Sequence, residues 1–109
     1  MQVKSKVWIE KNGELVFGVG KARLLSCIEK TRSINKAAQV MGISFRRAWG
    51  HIETIERHLG KKMLVRKRGG QYGGGSELTE EAKELLDRFE RIDQEVKKYA
   101  DEKYKQLFG

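Results

Sequence analysis

Two pairs of residues constrain this chain more than any other feature: Ser33 with Gly42, then Ser44 with Gly60. A serine side chain accepts from the open amides of a helix's first turn, and a glycine just past the last turn takes up the left-handed backbone that stops a helix. The pairs predict a short helix over 33–41 and a longer one over 44–59, joined by Met41-Gly42-Ile43-Ser44. A link that short makes the helices cross closely, and the first is suited to this, with Ala37, Ala38, Val40 and Met41 as its apolar residues. In the second, Phe45, Ala48, Trp49, Ile52, Ile55 and Leu59 recur every three or four residues and predict one buried stripe. The opposite face carries Arg46, Arg47, Gly50, His51, Thr54 and Arg57.

The flanking segments complete a recognisable order of elements. Residues 4–9 and 14–17 read as short strands around Asn12-Gly13, a pair that tolerates positive φ and so favours a tight hairpin. A helix over 20–31 follows, with Ala22, Leu24, Leu25, Ile28 and Cys27 turned inward. After Gly60, Met63-Leu64-Val65 reads as a strand, Arg66, Lys67 and Arg68 lead into the run GGQYGGG (69–75), and Leu78 returns as a second strand. Helix-turn-helix, strand, basic glycine-rich hairpin and return strand make a winged helix-turn-helix. Thr79 then caps a helix over 79–107, helped by the absence of any proline in the chain. There Ala82, Leu85, Phe89, Ile92, Val96 and Tyr99 alternate spacings of three and four, the a/d seam of a paired helix. The fold class is mainly α with small β elements. Residues 1–78 form the winged unit with its N-terminal β-hairpin, and 79–109 a long C-terminal helix for dimerisation.

Charge divides along the same boundary. Residues 1–75 hold 16 Lys and Arg against 5 Asp and Glu, whereas 76–109 hold 7 against 10. A basic body with a mildly acidic appendage suits a polyanion-binding unit joined to a pairing element. At 109 residues there is no room for separate cofactor and substrate lobes. No window approaches the ~20 apolar residues of a membrane span and no signal peptide follows Met1, so a cytoplasmic protein with no membrane partner is expected. Cys27 is the only cysteine, which leaves no disulfide or cysteine-zinc framework.

The combination SINKAAQVMGISFRRAW (33–49) with ETIERHLGKKMLVRKRGGQYGGGSELTEEA (53–82) resembles the N-terminal DNA-binding domain of ModE-type molybdate-responsive regulators. More distantly, the helix-turn-helix portion is similar to LysR-type regulators, through its Ala-Ala pair and the Leu-Gly after the second helix. The resemblance covers residues 5–100 and implies a winged-helix homodimer that binds a two-fold-symmetric operator in double-stranded DNA. It implies that Ser44, Phe45, Arg46, Arg47 and His51 lie at the major groove. Gly50 would leave room for the groove wall, Thr54 would offer a hydrogen bond, and Arg66, Lys67, Arg68, Gly69, Gly70, Gln71 and Tyr72 would lie along the backbone or minor groove. The sequence carries no counterpart of the family's C-terminal oxyanion-binding domain. The resemblance therefore implies DNA binding and not molybdate sensing, and any effector or sensor would act through the dimer interface or another chain.

Other chemistries fit less well. His51-Ile-Glu53 matches the H-x-E of zinc deaminases, but their P-C-x-x-C needs a proline. Gly18-Val-Gly20 opens like a dinucleotide loop, yet Arg23 stands where the third glycine belongs. Residues 69–75 lack the closing Gly-Lys-Ser/Thr of a P-loop. No nucleophile–base pair, metal cluster or cofactor motif stands out, so the expectation is a non-enzymatic protein without metal or cofactor. Two alternatives remain to a sequence-specific regulator: an architectural DNA-binding protein with little base readout, and an adaptor that docks an acidic protein.

Overall fold

A computed structural model of the chain describes residues 1–67 and 75–109. The order of elements is β1 (Trp8–Lys11), β2 (Glu14–Gly18), α1 (Val19–Thr31), α2 (Ile34–Met41), α3 (Phe45–Leu59), β3 (Leu64–Lys67), β4 (Gly75–Leu78) and α4 (Glu80–Phe108). This is a winged helix-turn-helix with an N-terminal hairpin and one long final helix.

The expected stops and starts are made by the expected atoms. Ser33 Oγ accepts from the Lys36 amide at 3.1 Å, Ser44 Oγ from Arg47 at 3.0 Å and Thr79 Oγ1 from Ala82 at 3.1 Å. Gly42 and Gly60 close α2 and α3 in the left-handed region, at φ of 69° and 66°. Arg32 does the same after α1 at φ 58°, which the sequence did not signal. The hairpin turn likewise takes positive φ at both Asn12 and Gly13.

The first strand differs from expectation. Residues 4–7 lie outside any strand, and β1 begins only at Trp8 and pairs antiparallel with β2 through an irregularity at Ile9/Glu10. The alternation that suggested a longer strand is real as burial: Val3, Ser5 and Val7 are half-buried, while Gln2, Lys4 and Lys6 are exposed. Met1 to Lys4 share a shallow hollow of about 410 Å³ with Asp101, Tyr104 and Lys105, so this segment runs beside the far end of α4. A period of two reports which side faces protein, and packing along a helix satisfies it as well as a ladder does.

The core gathers Phe17, Leu24, Leu25, Ile28, Ala37, Ala48, Ile52, Ile55 and Met63, none more than 1% exposed. α1 is its hub, packed on β2, α2, α3, β4 and α4. Three expected core positions fall outside it. Phe45, Leu59 and Val40 are 48%, 41% and 62% exposed, because no described residue covers the ends of these helices. Cys27 and Trp49 are half-buried at the core's edge rather than inside it.

The last helix spends part of its seam on its own domain. Ala82, Leu86 and Phe89 are buried, and the Phe89 ring meets Phe17 edge-on at 5.1 Å. The inward face is thus Ala82, Leu86, Phe89 and the half-buried Asp93, one step round from the expected seam. Leu85 is half-buried, while Ile92, Val96 and Tyr99 are exposed. A seam read as wholly available for pairing is therefore split. Ala82 and Phe89 belong to the domain core, and only the stripe beyond them faces outward.

The base of the wing is fastened to the end of α1. The amide of Ser76 donates to the Arg32 carbonyl at 2.9 Å, and the Arg32 guanidinium reaches Glu77 at 2.8 Å. A Cβ on Gly75 would come within 2.7 Å of that carbonyl, so the backbone crosses there only because the residue is glycine.

Candidate nucleic-acid interface

α3 is amphipathic, and its outward face is built by spacing alone. Arg46, Gly50, Glu53 and Arg57 follow at intervals of four, three and four, and all four are exposed. Arg47 flanks this line at the helix's open end. The first turn holds no acidic residue. Two arginines beside the positive end of the helix dipole oppose local preference, and the electrostatics there improve when an anion arrives.

The pairing of the arginines separates them by position. Arg57, in the last turn, lies 3.5 Å from Glu14, and Glu14 also meets His58 Nε2 at 2.8 Å. Lys11 Nζ donates to the His58 carbonyl at 3.2 Å, so the hairpin turn is pinned to the end of α3. Arg46 and Arg47 have neither a hydrogen-bond nor a carboxylate partner among the described residues. Their five-donor forks are free to meet guanine O6/N7 or phosphate.

Each remaining expected residue has a definite place. Ser44 is the cap of α3 and positions its first turn. Phe45 is 48% exposed at that turn, contrary to its place in the expected buried stripe. Gly50 sits mid-helix with no atom within 4 Å of an added Cβ, so nothing in the domain requires glycine there. Thr54 is half-buried, and its hydroxyl donates to the Gly50 carbonyl at 2.9 Å, which leaves it only acceptor capacity. His51 lies on the flank of α3, half-buried. Its imidazole is held below its ordinary pKa first by burial and then by the charges of Lys21 and Arg47, which keeps it neutral near pH 7.

On the wing, the Arg66 guanidinium lies over the Trp49 ring, 5.6 Å from its centre. Trp49 thus has two roles: one side packs on the core and the other is a platform that steadies Arg66 near α3. The sequence places both residues but not this contact, because it joins a helix to a strand. Lys67 ends β3 opposite Gly75. Arg68, Gly69, Gly70, Gln71 and Tyr72 lie outside the described residues. Glu53, unnoticed in the sequence among the basic residues, shares the exposed line of α3, and a carboxylate there can accept from cytosine N4. Among the described residues no three His, Cys, Asp or Glu side chains gather as metal ligands would, and no helix is long and apolar enough to cross a membrane.

Comparison with known proteins agrees with this architecture. Residues 20–83, more than half the chain, match the family described as bacterial regulatory helix-turn-helix protein, lysR family. The chain is 34% identical over 79 residues to the molybdenum transport protein ModE of Azotobacter vinelandii, covering 72% of this chain and 29% of that protein. It is 36% identical over 73 residues to the transcriptional regulator ModE of Haemophilus influenzae, covering 67% of this chain and 29% of that one. A third relative, the molybdenum-pterin-binding protein MopB of Rhodobacter capsulatus, is 30% identical over 92 residues, 84% of this chain and 34% of that protein. The chain thus spans about a third of the length of the curated relatives it matches.

Proposed function

Because this chain belongs to the lysR family of bacterial regulatory helix-turn-helix proteins, we propose that it reads operator DNA as a homodimer, with α3 in the major groove and the wing on the sugar-phosphate backbone. The observation that carries this reading is the pair of arginines at the open end of α3 that have no carboxylate partner among the described residues. Arg46 and Arg47 stand exposed in a turn without acidic residues, while Arg57 on the same helix has its carboxylate at 3.5 Å. Gly50 lets the helix axis approach the groove wall at mid-length. Arg66, steadied on Trp49, and the basic residues Lys67 and Arg68 that follow it in sequence supply charge for the backbone. The exposed stripe Ile92, Val96 and Tyr99 on α4 supplies the apolar face for a second copy, which would set two recognition helices against a two-fold-symmetric site.

Fluorescence anisotropy tests this directly. Duplexes selected from a random pool are compared with the unselected pool at two salt concentrations. The expected result is a two-fold-symmetric site bound at least about a thousandfold tighter than random duplex. Salt-sensitive binding without an enriched sequence would make the protein an architectural one. Absence of binding to any duplex would favour an adaptor for an acidic protein.

A further inference from the structure

A cleft of about 580 Å³ opens between the hairpin, the first turn of α1 and the flank of α3. Its size falls within the ~300–1,000 Å³ of small-molecule pockets. One wall is apolar, made by Trp8, Leu15, Val19, Met41 and Ile43. Trp8, Leu15 and Val19 are each about half exposed, a cluster of large apolar surface that no described residue covers. The other wall carries Lys6, Lys21, Arg47 and His51 against one carboxylate, Glu10, whose Oε2 already accepts from Trp8 Nε1 at 2.7 Å.

Lys21 decides what the cleft is for. It is only 8% exposed and has no hydrogen-bond or carboxylate partner among the described residues. The residue is packed away along its stem, its Nζ is not among the sealed unpaired atoms and so reaches the solvent of the cleft, and burial pushes its pKa below the usual lysine range. The same spot holds the open end of α1, a helix of 13 residues whose N-cap, Gly18, offers no side-chain acceptor and whose first turn has no acid. The open end of α1 and the Lys21 ammonium therefore converge on one cleft, and Glu10, the carboxylate on its wall, is held by Trp8 and pairs with neither among the described residues.

We propose that this cleft binds a small amphipathic anion, a carboxylate or phosphate monoester with an apolar body. The anionic group would sit between Lys21, Arg47 and the start of α1, and the body would lie on Trp8 and Ile43. A DNA phosphodiester matches the charge but has no apolar part to cover Trp8 and Leu15, which favours a small molecule over the duplex. Arg47 belongs to both surfaces, so an occupant of the cleft competes for it with DNA; that consequence rests on the reading above, whereas binding itself does not.

The test needs no DNA. The full chain is titrated with naphthyl phosphate, inorganic phosphate and naphthol and followed by amide proton–nitrogen NMR correlation spectra. Naphthyl phosphate is expected to give saturable shifts at the amides of residues 18–21 and at the Trp8 indole N–H. The other two ligands, each lacking one half of the chemistry, are expected to bind at least about tenfold more weakly, a difference of ~1.4 kcal/mol. Lys21→Met should lose binding by a similar factor, since it removes the cleft's ammonium and keeps its apolar stem. No saturable shift, shifts confined to another surface, naphthol binding as tightly, or unchanged binding by Lys21→Met would each overturn the proposal. The three-ligand comparison on the unaltered chain stands even if the variant does not fold.

Discussion

Two helices of this protein leave a face uncovered, and they do so in opposite ways. α3 departs from local preference: two arginines open its first turn, without an acid, and a glycine sits mid-helix with open space beside it. α4 obeys local preference throughout. Thr79 caps it, Glu80 and Glu81 open it, Lys105 lies in its last turn, and Lys97–Asp93 and Arg88–Glu84 pair along it at i,i+4. Its anomaly is tertiary, in that Ile92, Tyr99, Leu107 and Phe108 remain 48%, 62%, 77% and 69% exposed. The difference teaches where each face draws its meaning. α3 gives up local stability for a charged surface, so improving its helix should harm its function. α4 is a well-made helix that lacks an opposite number, so changes to its outer face should alter assembly and leave the domain's own stability almost untouched.

The largest expected effect marks the boundary within α4. Phe89→Ala should cost about 3–5 kcal/mol in urea unfolding, because the ring is buried against Phe17. Val96→Ala should cost the monomer no more than ~0.5 kcal/mol. Equal losses would erase the distinction between the inner and outer parts of the helix. It follows that charging Phe89 is no probe of pairing, since it would unfold the domain before it dissociated anything. Ile92→Glu with Val96→Glu is the proper probe and should leave a folded monomer by light scattering. A variant that stays dimeric would move the interface elsewhere.

On α3 the expected effects are smaller and fall on binding. Arg46→Ala or Arg47→Ala should weaken the selected duplex by about 1–3 kcal/mol if the fork reads a guanine. An equal loss on random duplex would reassign that residue to phosphate. Gly50→Ala carries the sharpest sign: thermal stability should rise, by about 0.5–1 kcal/mol, while operator binding falls. A gain in both would remove the reason given for the glycine.

The smallest effect is on pH. The folded-state pKa of His51 is depressed, so below about pH 6.5 the unfolded chain binds the extra proton more readily. Stability contributed by neutral His51 is therefore present above the unfolded pKa and is lost as the pH falls below it. His51→Gln should flatten that part of the stability profile, and an unchanged slope would assign it to other groups.

The elements of this fold were legible because their signals are local. Ser33, Ser44 and Thr79 each meet an amide three residues on, and Gly42, Gly60 and Gly13 each set their own φ. The exposed line of α3 needs only the helical repeat. Membership in a winged, DNA-binding family was legible for the same reason, because its hallmarks fall in turns and caps. Contacts between distant segments were not. The Arg66–Trp49 platform, the seat of Gly75 against Arg32, and the run of residues 1–4 along α4 join positions whose sequence patterns are independent of one another.

Sequence alone therefore determined where α2, α3 and α4 start, where α2 and α3 stop, and that a basic face stands at the head of α3. Capping, backbone handedness and helical periodicity act within a few residues and need no knowledge of neighbours. Only the tertiary structure decided that Ala82, Leu86 and Phe89 are spent on the domain's own core while Ile92, Val96 and Tyr99 are not. It also decided that Lys21 is packed into a cleft with no carboxylate partner among the described residues. Periodicity states that a face wants cover, whereas cover depends on which other segment the chain brings opposite it.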